Sequence, residues 1–442
     1  MKQISYLFVT ILFIIYIFTT EMVIAANFLI QYLLGAILIR LITRTPNNNV
    51  YRMFSMFYAI YGLLTLITQF ELIQVVDANH YYIHNDAADA FYPIITEQSI
   101  HNNWSDMIRN TLLNPMYSNY PLSSLLFAVI GKLGTIFDVE NLRLLLRMHE
   151  FLFASLIVAL ITDIPYKVGT VTTKAYIYIL WFSLCSYLYI TSAIFTRDTH
   201  VCLAYTLLGY VYLLPRCKGR LFWFVLLVAM SAGFRPINGI LATSFIFVYY
   251  MTKKRMSGMF LFVILMVATV FYTYLNQIFI FGQESLSYYE NLTASNTGGL
   301  FMMVYSLPFP INQILICIYM LFLPLPITSY VIGPNESLMN LPFCFSPYVM
   351  ALLFYSTLYL ALKGYISKKK HRYFIYLSVF LFVAIVFASP DIRRAFAAIP
   401  CLFMVFVCNL SIIPEKVFIF VRRFLWIPTF LITIILTMYV LL

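Results

Sequence analysis

Long apolar stretches recur along the whole chain and are separated by short polar ones. A bilayer core is crossed by about 20 helical residues, so apolar runs of that length predict membrane-spanning helices. The predicted spans are residues 4–20, 22–42, 53–75, 143–161, 175–194, 199–214, 219–234, 237–251, 257–275, 348–363, 373–389, 395–411 and 424–442. They predict an all-α, polytopic transmembrane helical bundle that forms a single integral-membrane domain over residues 1–442.

Two further apolar stretches do not read as simple spans. Residues 122–137 carry Lys132 and two glycines, and residues 300–332 contain four prolines, which remove backbone donors and break helices. We predict a half-inserted helix for the first stretch and a Pro-interrupted hairpin for the second. These assignments place every dense basic cluster on one face of the bundle, as the distribution of positive charge in membrane proteins requires.

The composition narrows the functional class. Hydrophobic residues make up 62% of the chain and charged residues only 10%, whereas a soluble domain carries about 25% charged residues. This composition excludes a soluble enzyme. The positions of the few charged residues are therefore the main guide to topology and function.

The net charge of +11 indicates topology and not a nucleic-acid partner. Basic residues concentrate in loops on one side of the predicted bundle, and such loops stay in the cytoplasm. The main clusters are Arg216, Lys218 and Arg220; Lys253, Lys254 and Arg255; and Lys368, Lys369, Lys370 and Arg372. We therefore predict a multi-pass protein of the plasma (inner) membrane with a cytoplasmic N-terminus, whose basic loops contact anionic membrane lipids.

Acidic and aromatic residues gather on the opposite, extracytoplasmic side. The longest non-spanning stretch, residues 76–121, is predicted to be an outer loop, and loops of this length are usually functional. Its titratable residues are Asp77, His80, His84, Asp86, Asp89, Glu97, Asp106 and Arg109. This loop is the first candidate for a site.

Asp86 and Asp89 are the candidate catalytic carboxylates in this loop. Three residues apart, they share a face if the segment is helical, and one of them can accept the proton of an attacking hydroxyl. The alternative is a solvated acidic surface. His80 and His84 have metal-ligand spacing and, with Asp86, offer a less favoured divalent metal site; the prediction is that no cofactor is needed.

A second set of charged residues lies at the outer ends of predicted helices. Its members are Arg143, Arg147, Glu150, Arg197, Asp198, His200, Arg235, Asp391, Arg393 and Arg394. Ionisable groups are costly inside a membrane and usually pair or line a wet pathway. Arg235 stands out because it separates two apolar segments directly before Pro236.

Each of these charges has a functional and a structural interpretation. Arg235 either grips phosphate oxygens with its guanidinium fork or pairs with an acid for structure. In the structural interpretation, Arg197 and Asp198 form a local ion pair, and one of Arg393 and Arg394 pairs with Asp391. His200 is either a substrate contact or a hydrogen-bonded core histidine.

Several of these segments together resemble a known family, the integral-membrane glycosyltransferases of the GT-C superfamily. The resemblance covers residues 53–251 and 389–411. It rests on the acidic and aromatic segment Asp86 to Tyr92, Tyr120-Pro121-Leu122 before a helix that ends in Gly134, Asn141 to Leu145 opening a span, Thr196-Arg197-Asp198, Phe234-Arg235-Pro236, and Asp391-Ile392-Arg393-Arg394.

The resemblance implies a hexosyltransferase-type enzyme that takes a sugar or oligosaccharide from a polyprenyl-(pyro)phosphate carrier at the outer face. The acceptor would be a glycan or a lipid-linked saccharide in cell-surface polysaccharide synthesis. Asp86 or Asp89 would be the base. The phosphate would be held by Arg235, Arg197, Arg393 and Arg394, and the substrate would contact His84, Tyr92 and His200.

Two departures from the family pattern leave the details open. The carboxylates are spaced as D-A-A-D where many relatives have adjacent acids, and Pro121 is single where many have a double proline. The choice between Asp86 and Asp89 is therefore not made. The arginine pattern also resembles Wzy-type polysaccharide polymerases, which join lipid-linked repeat units.

Two other classes remain as alternatives. A lipid-linked oligosaccharide transporter or flippase fits the prolines of residues 300–332, since transporters use broken helices. Transporter sites lie near the membrane midplane, however, whereas the charges here gather at one face. A non-catalytic membrane assembly partner is the other alternative.

The charge map makes a testable prediction about topology. Lys369 is predicted to be cytoplasmic and Trp104 extracytoplasmic, so single cysteines at these positions, in a background without native cysteines, should respond oppositely to an impermeant thiol reagent in intact cells. Only the cysteine at position 104 should be labelled. Labelling of both positions would reject the map.

Overall fold

The computed structural model describes residues 4–75, 103–113, 121–194, 197–254, 311–321, 342–366, 368–388 and 392–420, with scattered positions between 257 and 308 and after 420. Within these residues the chain is almost entirely helical and contains no strand. The all-α prediction is confirmed at this level.

The described helices are numbered in chain order. They are α1 Ile4–Thr19, α2 Met22–Thr43, α3 Asn48–Val75, α4 Trp104–Leu113, α5 Pro121–Ile136, α6 Leu142–Val168, α7 Thr173–Leu184, α8 Tyr187–Thr191, α9 Asp198–Leu213, α10 Arg220–Phe234, α11 Pro236–Lys253, α12 Ile311–Leu321, α13 Ser346–Leu362, α14 Lys369–Ala388, α15 Ile392–Ala395, α16 Ile399–Asn409 and α17 Glu415–Phe420.

Helix α6 is the central element. The Asn141 side chain caps its start by accepting a hydrogen bond from the Leu144 amide at 3.1 Å, and Gly169, with φ of 76°, ends it in the left-handed conformation. From Leu144 to Pro165 every residue but Phe153 is buried. Helices α2, α3, α5, α9 and α16 pack around it, so α6 has no lipid-facing side.

The described helices have membrane character. Four are long and apolar enough to cross a bilayer: Met22–Thr43, Asn48–Phe70, Leu142–Val168 and Lys369–Phe387. One side of helix α2 is exposed and presents large apolar side chains outward, including Ile30 and Leu41, which are 62% and 68% exposed. A continuous apolar surface of this kind is typical of contact with lipid or protein.

One predicted span is divided in the structure. The apolar run 175–194 forms α7 and α8, with Cys185 and Ser186 between them. Ser186 has extended backbone angles, and its hydroxyl accepts a hydrogen bond from the Leu188 amide at 3.3 Å. A serine at a helix N-cap offers the backbone an alternative to a continuous helix, which the apolar pattern alone did not show.

Part of the predicted outer loop is helical. Helix α4 covers Trp104–Leu113 and is opened by Asn103, whose side chain accepts a hydrogen bond from the Asp106 amide at 2.8 Å. It packs against α5. The rest of residues 76–121, with the exception of Asn103 and Pro121, lies outside the described residues.

The basic loops meet at one end of the bundle, which we call the basic end. The Lys167 ammonium in the last turn of α6 donates to the Thr45 carbonyl after α2 at 3.0 Å. The Lys370 ammonium at the start of α14 donates to the Leu214 carbonyl after α9 at 2.8 Å, and Lys369 reaches the carbonyl of Lys254. Five separate connections therefore share this end.

The opposite end of the same helices, which we call the polar end, holds both termini of α5. Leu122 at its start packs against Gly233 at the end of α10, and Gly134 near its end packs against the first turn of α6. The Glu21 carboxylate between α1 and α2 accepts hydrogen bonds from the backbone amides of Glu140 and Asn141, at 3.2 and 2.8 Å. Helix α5 thus begins and ends on the same side of the bundle.

Close packing of α2 on α6 predicts a specific sensitivity. A Cβ atom at Gly35 would overlap side-chain atoms of Phe54 and Leu152, so Gly35→Val should destabilise the protein by about 1–3 kcal/mol through overpacking. The measurement is the thermal unfolding midpoint in detergent. Ala36→Val, which adds the same branched residue at the next, half-buried position, should cost much less, and equal losses would contradict this packing.

Candidate functional site

Four ionisable side chains are buried together at the polar end. Arg147, Glu150 and His200 have no exposed surface and His149 is 3% exposed. In an apolar bundle, groups of this kind are retained where they pair with one another or serve a function. Their grouping makes this region the candidate site.

The local sequence explains why these groups converge. Arg147, His149 and Glu150 lie in the second and third turns of α6. All sides of this part of the helix are buried, so the three side chains remain inside the bundle whichever way they point. His200 lies in the first turn of α9, which packs along α6. Ser123 in the first turn of α5 closes the region from a third helix.

The histidine–glutamate cluster, defined as Ser123, His149, Glu150 and His200, has close internal geometry. The two Nε2 atoms of His149 and His200 are 3.0 Å apart. Oε1 of Glu150 lies 3.3 Å from Nε2 of His149 and 3.6 Å from Nε2 of His200. The Ser123 hydroxyl contacts Nδ1 of His200 at 2.9 Å.

Aromatic rings enclose the cluster. The Phe127 ring centre lies 5.1 Å from that of His149 and 5.2 Å from that of His200, and Phe153 and Phe234 approach His200 at 5.3 Å. These rings exclude water from the imidazoles. Electrostatic interactions inside the cluster are therefore stronger than they would be at a surface.

A polar path leads from the buried arginine towards the end of the bundle. Nη1 of Arg147 donates to Oε1 of Gln69 at 3.4 Å, and Nε2 of Gln69 donates to Oδ1 of Asn141 at 3.3 Å. Gln69 and Asn141 also line a cavity of about 600 Å³ together with Glu21 and Glu140. The cavity is large enough for a small polar molecule and lies beside the start of α6.

A second ionic contact lies nearer the edge of the site. Nη1 of Arg235, at the break between α10 and α11, is 3.9 Å from Oδ1 of Asp198 at the start of α9. The two side chains are 16% and 14% exposed. Pro236 at the first position of α11 forces the helix break, and Arg235 has an extended backbone there.

The arrangement offers two kinds of chemistry. The Asp198–Arg235 pair presents a partly exposed guanidinium, which is suited to phosphate or carboxylate oxygens. The histidine–glutamate cluster presents imidazole nitrogens and a carboxylate, which can hold a proton or a metal ion. Both lie at the end of the bundle opposite the basic loops.

The structure describes some of the predicted site residues and not others. His84, Asp86, Asp89 and Tyr92 lie outside the described residues, as do the alternative metal ligand His80 and Asp391. Arg197, His200, Arg235 and Arg394 are described and lie at ends of α9, α10 and α15. Arg393 belongs to α15, but its side chain is outside the described set.

The structure also adds contacts for Asp198 and His200, whose roles the sequence leaves open. Asp198, which the sequence pairs with its neighbour Arg197, contacts Arg235 across the start of α9. His200 is fully buried, with hydrogen-bonding contacts to Ser123 and His149. Its predicted role as a substrate contact stays a prediction.

His149 is the residue that the sequence analysis missed. The sequence does show the spacing of four and three residues that places Arg143, Arg147 and Glu150 on one face of α6. His149 precedes Glu150 directly and has no partner nearby in sequence, because His200 is 51 residues away. Only the packing of α9 on α6 brings the two histidines together.

Comparison with known proteins adds no relative. No protein-family model, no curated protein and no solved structure matches the chain. The resemblance to the GT-C superfamily therefore depends on this chain's own sequence motifs.

Proposed function

We propose that this chain is a membrane glycosyltransferase of the GT-C type. It uses a polyprenyl-(pyro)phosphate-linked sugar or oligosaccharide at the extracytoplasmic face and transfers it to a glycan or lipid-linked acceptor, either as a single-sugar transferase or as a repeat-unit polymerase. The proposed fold has about 13 spans plus the half-inserted helix and the Pro-interrupted hairpin. The observation that carries the proposal is the Asp198–Arg235 pair at the polar end.

The two ends of the bundle support the proposed sidedness. Basic loops contact one another at the basic end, and positive loops stay in the cytoplasm. The Asp198–Arg235 pair and the histidine–glutamate cluster lie at the other ends of the same helices. A polyprenyl carrier inserted from the outer leaflet would present its phosphate at this level while its tail stays in the bilayer.

Arg235 is the proposed anchor for the carrier phosphate. Its contact to Asp198 is long at 3.9 Å, and both side chains are partly exposed. A guanidinium stays charged and binds phosphate oxygens with a planar fork. As the sugar departs, the phosphate gains charge, and a positioned cation stabilises that charge in the transition state.

Three other arginines extend the proposed phosphate site. Arg197 directly precedes α9, and Arg393 and Arg394 lie in α15. Helix α15 packs on α8, and the turn that follows it packs on α9. The contributing segments are therefore adjacent at the polar end, although they are far apart in sequence.

The proposed base is Asp86 or Asp89, with His84 and Tyr92 contacting the sugar. The described residues on either side of this segment support the placement: Gln69 of α3 bonds to Asn141 at the start of α6, and α4 packs on α5. The described residues that precede and follow this segment therefore both lie at the polar end. An acceptor hydroxyl bound there would meet the carboxylate and the phosphate-anchored donor together.

The first functional prediction tests the carboxylates. Asp86→Asn and Asp89→Asn keep the side-chain size and remove the base, so one of them should lower glycan transfer by about 100- to 10,000-fold. Transfer is measured with detergent-purified protein, and expression and thermal unfolding serve as folding checks. Asp106→Asn, an exposed acid in α4, is the matched control and should keep activity. Full activity in both test variants would move the base elsewhere.

The second functional prediction tests Arg235 and separates an enzyme from a flippase. Arg235→Ala should lower transfer by about 100-fold or more, and Arg235→Lys should recover only part of it, because lysine keeps the charge and loses the fork. Arg220→Lys, at the opposite end of α10, is the control and should retain activity.

The assay is run in detergent with polyprenyl-linked donor and acceptor and no sealed compartment. A transferase or polymerase forms a glycosidic product under these conditions, whereas a flippase does not. The proposal would be overturned by absence of product across a broad donor panel, combined with lipid translocation in sealed vesicles that Arg235→Ala abolishes.

A further inference from the structure

Three electron-pair donors converge in the histidine–glutamate cluster. Nε2 of His149, Nε2 of His200 and Oε1 of Glu150 are separated by 3.0, 3.3 and 3.6 Å. All three side chains are at least 96% buried. No other group of histidine, cysteine, aspartate and glutamate side chains among the described residues comes together in this way.

These separations match the spacing of ligands around a small metal ion. Nitrogen and oxygen ligands lie about 2.0–2.1 Å from a tetrahedral zinc ion, so any two of them are about 3.3 Å apart. The three observed separations lie within about 0.3 Å of that value. Two imidazoles and one carboxylate are also a ligand set found around zinc where a fourth position is kept for water or substrate.

Hydrogen bonds alone explain the convergence of these three side chains less well than a bound metal ion does. A proton between the two Nε2 atoms serves that pair of nitrogens only, whereas Oε1 of Glu150 lies within 3.6 Å of both. A dication at the centre of the triangle attracts all three donors at once.

Ser123 provides the orientation that a ligating histidine needs. Its hydroxyl lies 2.9 Å from Nδ1 of His200 and can accept the Nδ1 proton. In that tautomer the Nε2 lone pair of His200 points towards His149 and Glu150. Metal-binding histidines usually donate their other ring N–H to a fixed acceptor in this manner.

We propose that His149, Glu150 and His200 bind a divalent transition-metal ion of the zinc class, with Ser123 as a positioning residue. The ion joins α6 to α9 inside the aromatic enclosure formed by Phe127, Phe153 and Phe234. This site is separate from the loop residues His80, His84 and Asp86. It also stands apart from the proposed glycosyl transfer, since metal binding is measured without any substrate.

The test begins with the full chain, purified in detergent through an affinity tag without histidine. Elemental analysis should find about one zinc-class ion per chain. Removal by a chelator should lower the thermal unfolding midpoint, and added Zn²⁺ should restore it, because an ion that binds only the folded state stabilises it. Co²⁺ added to the stripped protein should give the visible absorption of a tetrahedral site.

Variants then locate the site. His149→Gln, His200→Gln and Glu150→Gln should each abolish the Co²⁺ absorption and the stabilisation by Zn²⁺. Ser123→Ala should fold and weaken metal affinity by about 10- to 100-fold, as loss of a residue that orients a ligand does. Two controls should bind as the parent does: Ser124→Ala, the neighbouring buried serine, and His371→Gln, a buried histidine that contacts Asn409 in α16.

Two results would overturn the proposal. One is wild-type protein that carries no transition metal after purification, shows no Co²⁺ absorption and is not stabilised by added Zn²⁺. The other is metal binding that survives in all three ligand variants. If the ligand variants fail to fold, the wild-type spectrum and the Ser123→Ala affinity still decide the question.

Discussion

The burial of charge inside an apolar helix bundle is the constraint on which the rest of this structure depends. Helix α6 is enclosed by neighbouring helices and carries Arg147, His149 and Glu150 within about one turn. Ionisable groups in such a position need partners from other helices, because the surrounding medium offers none. The helices that surround this turn are therefore also the helices that build the candidate site.

The same constraint is met differently at the two ends of α6. Near the basic end, the buried carboxylate of Asp163 accepts a hydrogen bond from the Tyr210 hydroxyl at 2.5 Å, and the Lys167 ammonium lies 4.0 Å away. That acid is held by a neutral donor and a nearby cation. At the polar end, Glu150 instead faces the Nε2 atoms of two histidines. This arrangement can bind a proton or a metal ion. This difference distinguishes the two ends of α6.

The apolar pattern predicted much of the fold, and its failures are instructive. Long runs such as 143–161 and 219–234 correspond to α6 and α10, since a long, predominantly apolar helix is recognised by its length and composition. The run 175–194 was misread as one helix, because Ser186 acts through a local hydrogen bond that hydropathy does not register.

The candidate site was only partly predictable for a related reason. Arg235 and Asp198 were visible because charges are rare in apolar sequence, but their contact joins positions 37 residues apart and required the packing of α9 against α10. His149 was invisible because a single histidine on an apolar helix is unremarkable by itself. The sequence shows which charged residues lie in apolar segments, and the packing of the helices determines which residues pair with them.

The first turn of α9 connects the two parts of the site. Asp198 contacts Arg235, and His200, two residues later, contacts His149 and Ser123. Both residues belong to the first turn of α9, so the backbone that places the Asp198 carboxylate beside Arg235 also places the His200 imidazole in the cluster. The Asp198–Arg235 pair and the histidine–glutamate cluster are thus connected through one helical turn, which is the structural reason that both lie at the same end of the bundle.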